Sequence, residues 1–157
     1  MKKIKSTEGD VFLIPLRDGS GFGVGLLARK QGSGGLGYFF KKKYRDEKTF
    51  SWENLPMNDI IFIKLFGTPG LDKGSWPILG KLPGWNREKW KVPIFYQQDS
   101  LMENVYYALY HSDKLEEYKA REVIDASEAT QMPKGGWAGY GFVELVLTDF
   151  LEGVKAD

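Results

Sequence analysis

The sequence predicts an α+β fold, a strongly bent antiparallel β-sheet that carries a C-terminal helix. Three stretches say so. Val11 to Leu16 is apolar at every position, Phe22 to Leu26 alternates apolar side chains with glycine, and Tyr140 to Leu151 repeats apolar residues at helical spacing. A strand that is apolar throughout has both faces covered. Between the first two runs stands Asp18-Gly19, a pair that favours a tight hairpin because glycine accepts φ > 0. The return strand sets Phe22, Val24, Leu26 and Ala28 on one face and Gly21, Gly23, Gly25 and Leu27 on the other. Glycines along one face leave room for another backbone or a large ring, and they permit sharp coiling. A short bent hairpin of this kind opens small barrels, so the first half is expected to form an SH3-like, partly open barrel.

The remaining elements follow in order. Pro15 lacks an N–H and marks an edge or a bulge. Gln31 to Gly37 reads as a flexible loop, and it lacks the Lys-Ser/Thr of a phosphate-binding loop. Strands are expected at Gly37–Lys41, at Asp59–Phe66 and at Ser75–Lys81, the last near an edge because of Pro77. Lys41 to Lys43 is followed by Asp46, Glu47 and Glu53 and reads as a solvated strand end. Trp85 to Trp90 reads as a single helical turn anchored by its two tryptophans. Further strands are expected at Val92–Tyr96, within Asn104–His111 and at Arg121–Ile124, and Met132–Gly136 is a loop. In the final helix Tyr140, Val143, Leu147, Phe150 and Leu151 recur at three-and-four spacing, Leu145 and Val146 broaden the stripe, and Gly153 is a stop. Phe22, Val24 and Leu26 are expected to share one core with Val143, Leu147 and Phe150.

The 157 residues are expected to form a single domain, 1–157, with a real core. Lys+Arg at 22 against Asp+Glu at 21 gives a net charge of +1, which offers no global field for nucleic acid or an anionic membrane. Cysteine is absent, so there is no disulfide framework and no thiolate metal site. The basic opening Met1 to Lys5 continues into an apolar run too short for a leader, and no run approaches the ~20 residues that span a bilayer, so a cytoplasmic protein is expected. Aromatic residues make up 15%, which large rings filling a small β-rich core explain, with an aromatic recognition surface as the alternative.

Chemistry is thinly represented. Nucleophilic catalysis needs a base beside the nucleophile, and there is one histidine, His111, with no Gly-x-Ser-x-Gly elbow. Catalytic zinc draws on several His or Cys ligands, which this chain does not supply. Glu144 stands out on the otherwise apolar final helix, and its expected role is to accept hydrogen bonds or to pair with Arg121. No catalytic residue, cofactor or metal is therefore expected.

Five stretches together resemble the immunity protein 26 family of bacterial polymorphic toxin systems. They are Gly-Asp-Val-Phe-Leu-Ile-Pro-Leu (9–16), Asp-Gly-Ser-Gly-Phe-Gly (18–23), Gly-Ser-Trp-Pro-Ile-Leu-Gly (74–80), Arg-Glu-Val-Ile (121–124) and Gly-Tyr-Gly-Phe-Val-Glu (139–144). The resemblance runs from Gly9 to the final helix. It implies a non-enzymatic cytoplasmic protein that binds a cognate toxin and blocks it, and it carries no catalytic or metal motif. Partner binding needs a few anchor residues, and Trp85, Trp90 and Tyr96, with Arg87 as a charged companion, are the candidates near exposed turns. Trp137, flanked by glycines, reads as either a packed corner or an exposed anchor. Two other function classes remain open. One is an SH3-like endoribonuclease of a toxin–antitoxin module, with Arg17, Arg29 and Lys41–Lys43 supplying charge; the other is a generic peptide- or carbohydrate-binding module using Trp85–Trp90.

Overall fold

The computed structural model describes residues 5–157, so residues 1–4, most of the basic opening considered above, lie outside it. Four long strands form an antiparallel meander: β1 (Asp10–Pro15), β2 (Phe22–Gln31), β3 (Gly34–Phe40) and β4 (Ile60–Gly67). After a short helix α1 (Pro69–Asp72), β5 (Ile78–Lys81) pairs antiparallel with the outer edge of β1. A second, antiparallel sheet comprises β6 (Phe95–Gln98), β7 (Tyr106–Leu109) and β8 (Glu122–Ile124). The short helix α2 (Ala126–Ala129) follows. The two-residue β9 (Trp137–Ala138) then joins β4 in parallel, and helix α3 (Tyr140–Phe150) ends the described elements. The first sheet has the order β5-β1-β2-β3-β4-β9 and stays open at both edges. The α+β class is as expected, with one parallel pair added to the antiparallel ladder.

Alternating side chains send two cores to opposite faces of the first sheet. Val11, Leu13, Val24, Leu26, Leu36 and Tyr38 face Phe95, Leu109 and Leu115 from the segments around the second sheet. Phe12, Ile14, Leu27, Phe39 and Phe66 face Leu71, Trp76 and the α3 residues Val143 and Leu147. The apolar run of β1 from Val11 to Ile14 is thus buried on both sides, as its sequence requires.

This arrangement corrects the shared-core expectation. Val24 and Leu26 lie on the face away from α3, with Phe22 packed beside them, whereas Val143 and Leu147 rest on the opposite face and Phe150 is about half exposed. The reason is the glycine face of β2. A Cβ at Gly23 would stand 3.3 Å from Leu151 Cδ1 and 3.4 Å from Leu147 Cδ1, so the helix settles where side chains are missing.

Two connections also differ from expectation. The β1–β2 link is not a two-residue turn but residues 16–21, organised by Asp18, whose carboxylate accepts from the Ser20 N–H at 2.9 Å and its hydroxyl at 2.6 Å. Those bonds hold the Asp18 carboxyl below its usual pKa. Conversely, the segment Gln31–Gly37 is almost all strand, with only Gly32-Ser33 between β2 and β3. Three of its glycines, Gly34, Gly35 and Gly37, are sites of close packing: a Cβ at Gly34 would lie 2.6 Å from Trp137 Cζ3. Farther on, the strand expected from Val92 begins only at Phe95, past Pro93.

His111 packs edge-on against Phe95, with ring centroids 5.5 Å apart, and its buried Nδ1 has no hydrogen-bond partner. Burial pushes its pKa below the ordinary 6.5, against an opposing pull from Glu117. The unfolded chain therefore binds a proton more readily, so stability falls as pH drops from 6.5 toward the folded-state pKa. Denaturation midpoints measured from pH 7 to pH 5 are expected to decline in the wild type and to flatten in His111→Gln. Parallel profiles would show that the imidazole is not responsible.

Candidate functional site

A concavity of about 920 Å³ lies along the β4–β9 side of the first sheet. One wall is β4 from Ile60 to Lys64; the other combines the loop after α2, β9 and α3. Helix spacing explains the second wall. With Val143 and Leu147 turned to the sheet, Phe142, Val146 and Phe150 recur every four residues as an adjacent apolar stripe that lines the groove. Trp137 is 54% exposed, Phe142 53%, Phe150 48% and Ile60 37%, so four large apolar side chains rim the groove in contact with solvent. Trp137 is nonetheless fixed, because its ring lies on the bare backbone of Gly34. Phe150 leans on Phe62, with ring centroids 5.7 Å apart.

Among the described residues, the charged groups lining this groove are Lys64 and Lys134, and no carboxylate lines it. Lys64 is buried, and its Nζ donates to the carbonyls of Gly135 at 2.8 Å and Lys134 at 3.2 Å. Burial, and then the neighbouring Lys134 charge, push its pKa below that of an ordinary lysine. The main chain of β4 is also open here. β3 pairs along its inner edge from Ile60 to Gly67, but β9 pairs on the outer edge only at Leu65 and Phe66. Ile60–Lys64 therefore carries no strand on that edge among the described residues.

Of the four residues nominated from sequence, Tyr96 lines the groove, and the other three stand together around the single helical turn at Arg87–Lys89. All four are partly buried. The Trp85 ring covers Gly9, where a Cβ would lie 2.8 Å from Trp85 Cγ. Trp90 meets Tyr38 edge-on at 5.2 Å and Phe40 at 6.0 Å. Arg87 donates through Nε to Glu8 at 2.7 Å and through Nη1 to Asp113 at 3.0 Å. The hydrogen bond from Arg87 is the main cause that holds the Asp113 carboxyl below its usual pKa. Trp137 is exposed and not enclosed in a packed corner, although its ring rests on Gly34.

Glu144 accepts hydrogen bonds, as one of its two expected roles requires, but its charged partner is Arg17 and not Arg121. Its Oε1 accepts from Arg17 Nε at 2.8 Å and its Oε2 from Trp76 Nε1 at 2.9 Å, while Arg121 pairs with Glu117 at 3.5 Å. Arg17 and Trp76 reach it across the sheet face, a pairing that distance along the chain conceals. Both carboxylate oxygens are occupied, so the group ties the β1–β2 connection to α3. The basic residues considered for an RNA groove are likewise dispersed. Arg17 is held by Glu144, Lys42 by Asp157, and buried Arg29 donates to the carbonyls of Ala28 and Trp90. Among the described residues no cluster of His, Asp or Glu could hold a metal ion, and no helix is long and apolar enough to cross a membrane.

No curated protein and no solved structure matches the chain. The family model described as Immunity protein 26 matches residues 7–106, from the approach to β1 to the start of β7. Two of the five stretches noted above, 121–124 and 139–144, fall outside the match, as does the wall of the groove built after α2. The match still takes in well over half of the sequence, including the whole β1–β5 framework, and on that basis the chain belongs to the immunity protein 26 family.

Proposed function

We propose that this protein neutralises a cognate bacterial polymorphic toxin by binding it directly in the cytoplasm, with no catalysis of its own. The observation that carries the reading is the uncovered apolar groove in a chain of this family. Trp137, Phe142, Phe150 and Ile60 are the anchors it supplies, and rings held from behind, as Trp137 is by Gly34 and Phe150 by Phe62, lose little freedom on binding. Tyr96 lies within the same contact. Trp85, Arg87 and Trp90 offer a second, partly buried face, and alanine scanning at these three positions measures whether it joins the contact. The net charge of +1 leaves any steering to local groups such as Lys64 and Lys134.

Co-expression with the toxin encoded by the neighbouring gene tests this function. The expected outcome is restored growth together with co-purification of the two chains. Absence of rescue and of any complex, with RNA cleavage by this chain alone, would replace binding by catalysis.

A further inference from the structure

We propose that the open edge of β4, Ile60–Lys64, takes up an extended segment of the toxin as an added strand, its apolar side chains in the groove and a carboxylate against Lys64 and Lys134. This inference rests on the immunity reading and specifies how the toxin is held.

Three observations carry it. The first is the edge itself. Native sheets cover or blunt a free edge, because unpaired N–H and C=O groups recruit foreign strands. Here five consecutive residues, about 16 Å of strand at ~3.3 Å per residue, border the groove with no strand beside them among the described residues. The lysine that would guard such an edge, Lys64, has its Nζ held by the Lys134 and Gly135 carbonyls. The second is β9. Its pairing at Leu65 and Phe66 shows that the same edge is straight enough to accept a strand, and it stops where the open stretch begins. The third is the chemistry of the walls. An added strand presents alternate side chains to each face, and those on the α3 side would meet Phe142, Val146 and Phe150. The groove's charged groups are both cationic, so the complementary segment is apolar and carries an acidic residue or a terminal carboxylate. Its charge would also lessen the mutual repulsion of the two lysines.

Amide hydrogen exchange on the complex with the neighbouring-gene toxin, combined with two substitutions, tests this. Phe142→Glu places a negative charge in the groove, while Leu145→Glu makes the same change on the same helix, at a residue equally exposed but outside the groove. Binding is expected to slow exchange at amides within Ile60–Lys64 at least tenfold. Phe142→Glu is expected to weaken the complex about 30-fold, with Leu145→Glu within about twofold of wild type. A complex that leaves the β4 amides unprotected would overturn strand capture and leave immunity standing. If Phe142→Glu still weakens such a complex, the occupant is a helix or another apolar face. Self-association of the free protein that Phe142→Glu abolishes would identify a second copy as the occupant and would also overturn it. Failure of the wild type to bind the toxin would overturn both readings.

Discussion

Trp76→Ala is expected to cost about 3–5 kcal/mol, the range for emptying a fully buried aromatic site. The indole has no exposed surface and stacks against both Phe12 and Phe66, with each ring centroid 5.6 Å away. Its Nε1 also donates to Glu144, so truncation would open a cavity and remove a donor from a nearly buried carboxylate. Domains of this size are stable by only about 5–15 kcal/mol, and the variant should sit near its unfolding transition at physiological temperature. Chemical denaturation reads the effect. Trp76→Phe is expected to fall between the two, since it keeps most of the ring and loses the N–H. A loss below about 1 kcal/mol in the alanine variant would mean that the three rings are not packed together.

Leu147→Ala is expected to cost about 2–5 kcal/mol, because the side chain is fully buried between α3 and the glycine face of β2. Phe150→Ala removes a larger side chain from the same helix, yet it should cost only about 1 kcal/mol, since nearly half of the ring is already in water. The order matters more than either value. It separates the stripe that holds the fold from the stripe that lines the groove, and denaturation midpoints of the two variants measured side by side would show it. Equal losses, or a larger loss at Phe150, would mean that α3 is rotated from the orientation described.

Much of the framework was legible because it depends on local pattern. The unbroken apolar run of β1, the β-branched and aromatic run of β4 and the three-and-four spacing of α3 each announce an element without reference to the rest of the chain. What escaped depends on distant neighbours. Glycines 32, 34, 35 and 37 read as flexibility, because nothing nearby in sequence reveals that rings and Leu27 press on three of them. The two-residue β9 is too short for any periodicity, and the charged partner of Glu144 is a residue 127 positions away. The groove was half visible. Phe150 reads as part of one apolar stripe and Val146 as its broadening, when an arc that wide on an 11-residue helix already implies more apolar surface than one sheet face covers. Which side would lie open could not follow from the helix alone, since it depends on where β9 stops along β4.

The central claim is that this protein acts by holding a toxin in its groove. Its most direct test is the affinity of the purified chain for the toxin of the neighbouring gene, compared with that of Trp137→Ala/Phe150→Ala, with circular dichroism confirming that the variant is folded. Saturable 1:1 binding that the double substitution weakens by 30-fold or more is the predicted result, as expected for two anchor residues. Undiminished binding by the folded double variant would contradict it.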